Sequence, residues 1–298
     1  MGSTCRVWNE GSSNESSVIS CQFEQLTTDD PTRCPHTAPE TVLTNDTRSD
    51  KMGHGSVLTE PCRGRTVGRP TRTIEFFRVW TPEMAYVLGY WWADGLMYIK
   101  PNTGAHEIRI ASNDLDHLQT IARTINQTYD LRKVSQHTST YVITFCSVEM
   151  YRDIEHHGGT PRKSRTIGFP TVPAELLPHF VRGVVDGDGT LAWNGDRPIL
   201  QIYSGSPECL NALTASVDQA TGIPAPNLQT NRDNWVVKWS TIRAKCLAAW
   251  LYIDNPGLAL GRKASIAAQF IQWQPRGTPL KGSITDAMRL NFPDYLPS

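Results

Sequence analysis

The chain has 298 residues, 39% of them hydrophobic, which is enough for a sizeable core in two domains or one long pseudo-symmetric domain. Lys plus Arg and Asp plus Glu both number 29, a balance that speaks against a broad, non-specific polyanion binder but leaves room for a local basic groove. No apolar run reaches the length of a membrane span, the opening MGSTCRVWNEGSS has no apolar signal region, and the seven cysteines are irregularly spaced. The expectation is an intracellular protein with reduced thiols and no membrane association, in a cytoplasm or nucleoid or in an organelle.

Residues 1–73 are polar and rich in Ser, Thr, Asn, Asp, Pro and Gly without sustained periodicity, and read as disordered or poorly packed. Cys34, His36, His54 and Cys62 do not have the spacing of a paired CxxC metal framework. Arg63, Arg65, Arg69 and Arg72 form a basic patch that suits either a phosphate-touching arm or a solvated linker. The folded part is expected from about Ile74. Thr81 followed by Pro82 is a helix entry, with a cap residue and then a proline in the first turn. The helix runs through AYVLGYWWADG, Ala85–Gly95. Two strands, Leu96–Lys100 and His106–Ser112, flank the turn PNTGA. An amphipathic helix, Asp114–Tyr129, carries its stripe on Leu115, Leu118, Ile121 and Ile125. Strands Leu131–His137 and Tyr141–Cys146 and a short helix, Val148–His156, complete this half.

The second half repeats the order. Helix Phe180–Asp188 leads to strands Thr190–Asn194 and Ile199–Ser204, helix Pro207–Thr221, a strand at Trp235–Trp239 and a helix at Thr241–Leu251. LQIYSGSPECL mirrors IRIASNDLDHL, so that Ile202 stands for Ile110, Ser204 for Ser112 and Leu210 for Leu118. Each half reads αββαββα. TPRKSRTI follows the first copy and LGRKASIA the second, matching Lys163 with Lys263. The implied organisation is a repeat at 74–165, a second at 166–273 and a tail at 274–298 with a short helix at Ile284–Leu290.

The two helices that open the halves carry the chemistry. FVRGVVDGDG, Phe180–Gly189, echoes Ala85–Gly95: each is largely apolar, has a central glycine and ends in an aspartate and a glycine. Such apolar runs are not solvated helices. Gly89 and Gly183, at equivalent places, mark a close approach of two backbones. Asp94 and Asp188 stand in the last helical turn, where the macrodipole favours cations. Side by side they repel each other, which a divalent cation between them would relieve. Ala93 and Gly187 could add backbone carbonyls as ligands. The bland alternative is a pair of core helices, each ending in an Asp-Gly turn.

These stretches resemble the paired motifs of the LAGLIDADG homing endonucleases in their single-chain form. Asp186 fills the first acidic place of the second motif, while Trp92 departs from it in the first. The resemblance implies an α+β fold: pseudo-two-fold tandem αββαββα repeats forming a DNA-binding saddle of two antiparallel sheets. It implies a monomer that makes a metal-dependent double-strand cut in double-stranded DNA at a long site, with Mg2+ (or Mn2+) held by Asp94 and Asp188. Lys163 and Lys263 inherit a place near the cleaved phosphates; ordinary surface lysines are the alternative. Ser112 and Ser204 inherit polar positions that organise active-site water, and also suit helix caps. DNA would lie on the polar sheet faces, read by Arg109 and His137 in the first half and by Arg197, Gln201, Asn231, Arg232 and Lys238 in the second. Each of these could equally be a solvated strand residue. His117, His156, His157 and His179 have no paired nucleophile at recognisable spacing and read as surface residues. No protein partner is implied. An intein is disfavoured by the absence of a terminal His-Asn and of an initial nucleophile. The competing class is a non-cleaving nucleic-acid binder of the same fold, an intron maturase or a regulator.

Overall fold

The computed structural model describes residues 75–127, 129–276 and 282–297. The basic patch and the Cys and His candidates of the first 73 residues lie outside these.

Thr81 opens helix α1 (Pro82–Asp94) by accepting a hydrogen bond on Oγ1 from the Met84 amide at 3.1 Å, with Pro82 next in line. Strands β1 (Gly95–Ile99) and β2 (His106–Ser112) follow, then α2 (Leu115–Ile125), β3 (Tyr129–Lys133), β4 (Tyr141–Cys146) and α3 (Val148–His156). The second half gives α4 (Leu177–Asp188), β5 (Gly189–Asn194), β6 (Arg197–Ser204), α5 (Pro207–Thr221), β7 (Gln229–Asn231), β8 (Asn234–Ser240) and α6 (Ile242–Tyr252). Helices α7 (Gly261–Gln272) and α8 (Asp286–Asn291) close the described chain.

Both sheets are antiparallel and four-stranded, in the orders β1-β2-β4-β3 and β5-β6-β8-β7. Their registers match: Gly95 faces Ile110 and Gly189 faces Ile202. Strand alternation gives each sheet a core face and a polar face. Ile108, Ile110, Ile143 and Phe145 are fully buried in the first sheet, as are Leu200, Ile202 and Val237 in the second. Helices α1 and α4 lie between, buried almost throughout.

Several boundaries move for local reasons. Asn126 adopts a left-handed conformation (φ 52°) and caps α2, so the chain turns into strand at Tyr129 instead of continuing as helix. Strand β3 then ends at Lys133, which places His137 in the connecting turn. A 3-10 turn at Ala174–Leu176 starts α4 three residues before Phe180, with Pro178 tolerated in its first turn. Helix α7, which carries Lys263, is not among the expected elements. The tail packs onto the second half: Met288 and Phe292 are buried, Thr285 Oγ1 donates to the Gly222 carbonyl (2.8 Å), and Asn291 Nδ2 donates to that of Thr221 (3.0 Å). Cys209 and Cys246 are buried free thiols, whereas Cys146 is disulfide-bonded, a departure from the expectation of reduced thiols.

Candidate functional site

The site begins with two missing side chains. A Cβ on Gly89 would lie 2.0 Å from the Phe180 carbonyl oxygen, and one on Gly183 would lie 2.1 Å from that of Tyr86. Only glycine allows α1 and α4 to cross this closely. Small residues extend the contact to the helix ends: a Cβ on Gly187 would lie 2.4 Å from Ala93 Cβ and 3.5 Å from Asp94 Oδ2. The carboxylate of Asp94 therefore stands against the α4 backbone one residue before Asp188.

Both aspartates end their helices, each followed by a glycine that starts a strand, and both are half-buried. Burial raises the Asp94 carboxyl to about 8, and the charge of Asp188 adds to the rise; Lys163 and Lys263 pull it back down. Asp188 is also raised by burial and lowered by the same two lysines.

Neither lysine is a surface residue. Lys163, 5% exposed in a 3-10 turn, donates through Nζ to the carbonyls of Trp92 (2.5 Å) and Ala93 (2.9 Å). Lys263, 2% exposed in the first turn of α7, donates to those of Val185 (2.7 Å), Asp186 (2.8 Å) and Gly189 (2.8 Å). Two ammonium groups thus sit on the carbonyl ends of α1 and α4 and supply the positive charge that the helix dipoles favour. Burial lowers both lysines to about 8, against the opposing pull of the nearby carboxylates. This overturns the alternative of ordinary surface lysines. The lysines are anchored on backbone carbonyls inside the protein, and the Ala93 carbonyl offered as a metal ligand already accepts from Lys163. Among the described residues no group of three or more His, Cys, Asp or Glu side chains could hold a metal.

The two serines differ in depth: Ser112 is buried, whereas Ser204 is half-buried and lines a small cavity with Asp188. Ser112 and Ser204 stand on the core faces of their strands, alternating with Ile110 and Ile202. Ser112, 3% exposed, accepts from the Asp114 amide (3.1 Å) and from Tyr90 OH (3.0 Å). Its burial removes it from any DNA surface. Ser204 Oγ accepts from the Ser206 amide at 3.1 Å. Both hydroxyls shape the turn into the next helix.

The two polar sheet faces are unlike. In the second, Thr190, Gln201 and Lys238 form one row across three strands. Arg197 and Asn231 share that face, and Arg232 occupies the β7–β8 turn with φ 55°. Arg197, Asn231, Arg232 and Lys238 are exposed, and no acid stands on the strand positions of this face. In the first sheet, Arg109 is held by Glu107 (2.8 Å) and by Tyr98 OH, with Lys100 on the other Glu107 oxygen (2.9 Å). Glu107 is 2% exposed and shares its one negative charge between Lys100 and Arg109, which leaves the cluster with a single net positive charge. His137 is exposed at the β3–β4 turn, away from Arg109.

Sequence reasoning missed three buried polar residues. Asp186 accepts from Tyr86 OH, Tyr252 OH and the Leu260 amide. His117 pairs with Tyr86 OH at 2.8 Å and packs on the α2 core face. His179 contacts Arg182, whose guanidinium donates to the carbonyls of Leu251, Asn255 and Leu258. The one available signal was Arg182 itself, a charge inside an otherwise apolar run.

No family model matches the sequence, and no curated protein matches it. Solved structures that it is similar to include full-length DUF199/WhiA from Thermatoga maritima, at 14% identity over 70% of this chain and 67% of that one (TM-score 0.43). Another is the meganuclease I-SmaMI bound to uncleaveable DNA, at 11% over 64% and 89% (TM-score 0.45). A third is an I-DmoI variant in complex with its target DNA in the presence of Mn, at 16% over 59% and 97% (TM-score 0.41). The doubled αββαββα order, the glycine contact between the opening helices and the convergence of their last acids form the arrangement that the motifs implied. The fold is LAGLIDADG-like. No helix among the described residues is long and apolar enough to cross a membrane.

Proposed function

We propose that this LAGLIDADG-like chain is a monomeric, site-specific endonuclease of homing type that makes a metal-dependent double-strand cut in duplex DNA. The repeats at 74–165 and 166–273 would each serve one strand, with 1–73 and 274–298 flanking them. The observation that carries this reading is the pairing of Asp94 and Asp188. Two half-buried carboxylates held together at a helix crossing, both raised by burial and Asp94 further by the charge of Asp188, fit a divalent cation such as Mg2+ or Mn2+. Asp94 and Asp188 would hold it; the Gly187 carbonyl, which takes no bond from Lys263, is a further candidate donor. When bound, such an ion activates water and neutralises charge on a phosphate.

The chain supplies the remaining requirements. Lys163 and Lys263 fix the helix ends that carry the two acids and add positive charge beside a phosphate without leaving their carbonyls. The row Thr190, Gln201 and Lys238, with Arg197 and Asn231, suits a β-ribbon in the major groove, where Gln and Asn pair adenine and Arg pairs guanine. Ser112 has no part in this surface.

The test is incubation of the protein with Mg2+ and a library of duplex targets. Cutting of both strands at a long site, lost in Asp94→Asn and Asp188→Asn, supports the proposal. The second reading, a non-cleaving binder such as a regulator, draws on the two lysines being committed to backbone carbonyls. Tight binding of nucleic acid by wild type, with no cutting in Mg2+ or Mn2+, would establish it instead.

A further inference from the structure

We propose that Asp186 is a positioning residue for the second acidic tip alone, so that the phosphate served by Asp188 is cut before the one served by Asp94. This rests on the nuclease reading above. Asp186 is 1% exposed, and its carboxylate accepts from Tyr86 OH (2.8 Å), Tyr252 OH (2.6 Å) and the Leu260 amide (2.7 Å). Leu260 is the N-cap residue of α7, and its amide is taken by Asp186 of α4, in the manner of the acid of a capping box that reaches the N-cap amide. Lys263, three residues on, returns the contact by donating to the three carbonyls around the end of α4. The two helices hold each other reciprocally: a carboxylate of α4 on the start of α7, and an ammonium of α7 on the end of α4. Asp188 lies inside this clasp. Tyr86, backed by His117, ties it to the first half.

The first half has no such device. Trp92 takes the place of Asp186, and its Nε1 donates to the Gly168 carbonyl at 2.9 Å. Lys163 belongs to a three-residue 3-10 turn and reaches two carbonyls instead of three. Asp188 is thus fixed from both directions and Asp94 from one. A reacting group that arrives already placed needs less rearrangement on the way to the transition state, and a misplacement of about 1 Å costs on the order of 100-fold in rate.

The experiment is strand-resolved, single-turnover cutting of a target duplex carrying a different label on each strand, with Asp188→Asn and Asp94→Asn assigning the strands. Wild type is expected to accumulate a nick in the Asp188-dependent strand. Asp186→Asn replaces one of the two acceptor oxygens that hold Tyr86, Tyr252 and Leu260 by an NH2 donor and removes the carboxyl, and should slow that strand on the order of 10- to 100-fold, while the other strand stays within about threefold. A merely structural role would slow both strands alike through a smaller folded fraction, and that result overturns the proposal, as do simultaneous cuts by wild type. Hydrogen exchange gives a readout free of metal and DNA: Asp186→Asn should speed exchange across 260–266 and leave 160–166 unchanged. A wild type that cuts neither strand refutes the nuclease reading on its own account, and unchanged exchange at 260–266 refutes the clasp on its own account.

Discussion

Gly89→Ala separates helix propensity from packing. In an isolated helix this change is favourable by about 1 kcal/mol. Here the new Cβ would lie 2.0 Å from the Phe180 carbonyl oxygen, about 1.4 Å inside the 3.4 Å at which ordinary contact begins. The obstacle is backbone of α4, which has no rotamer to turn aside, so the helices must part by more than an ångström. Overpacking of this kind typically costs about 1–3 kcal/mol and sometimes more. The seam between α1 and α4 is buried almost throughout, and opening it also forfeits close contacts along its length. The expected net loss is about 3 kcal/mol, the upper end of that range, despite the propensity gain. At roughly 2–4 °C per kcal/mol for a domain of this size, the melting temperature should fall by several degrees. The assay is urea unfolding of Gly89→Ala beside Gly168→Ala, whose Cβ would meet nothing within 4 Å and which should stay within about 0.5 kcal/mol of wild type. Gly183→Ala, 2.1 Å from the Tyr86 oxygen, should match Gly89→Ala. If Gly89→Ala is as stable as Gly168→Ala, the crossing is not the fulcrum of the fold, and the reasoning that brings the two acids together fails with it.

In metal-free buffer with chelator, the folded Asp94 carboxyl titrates near 8 and the unfolded one near 4. The folded chain keeps a proton that the unfolded chain has released, so stability falls as pH rises from about 4 to 8. Lys163 and Lys263, near 8 when folded and about 10.4 when unfolded, act oppositely: the unfolded chain binds more protons there, and stability rises between about 8 and 10. Urea midpoints across pH should show these three groups contributing a minimum near 8, and Asp94→Asn should lose the falling limb; superimposable profiles would contradict this. Arg182→Met should cost about 3 kcal/mol or more by guanidinium denaturation, because it strands the carbonyls of Leu251, Asn255 and Leu258. On duplex DNA, Lys238→Ala should weaken binding and lower the salt slope by about 0.9. Arg109→Ala should change the slope little because Glu107 already holds Arg109; equal shifts in fluorescence anisotropy titrations would count against the unequal sheet faces.

Much of the fold was legible because its signals are local. Strands β2 and β4 and helices α3 and α5 have the expected bounds. Ser147 and Ser206 cap the two helices by accepting from the amides of Met150 (3.2 Å) and Cys209 (3.2 Å). The duplicated glycine and aspartate positions also survive in sequence, so the pairing of Asp94 with Asp188 could be anticipated. What Lys163 and Lys263 bind could not. Their partners are backbone carbonyls, which leave no trace in residue identity, and the two lysines reach them from different elements, a 3-10 turn and a helix. Helix α7 was missed because its opening was matched to TPRKSRTI, whose counterpart forms only that turn. The role of Asp186 depends on partners 66 to 100 residues away, beyond any periodicity. His117 read as a surface residue because it has no paired nucleophile at recognisable spacing, yet it lies on the buried stripe of α2.

The strap formed by the last described residues bears on how far the duplication can be undone. It fastens to the second half at several points: Arg243 donates to the carbonyls of Gly282 and Ser283, and Tyr295 OH donates to Asp254 Oδ1. Among the described residues the first half has no equivalent. A chimera made of two second halves would carry two buttresses, and one made of two first halves would carry none. The halves are therefore no longer interchangeable parts, and an engineer seeking a symmetric homodimer should begin from the C-terminal one.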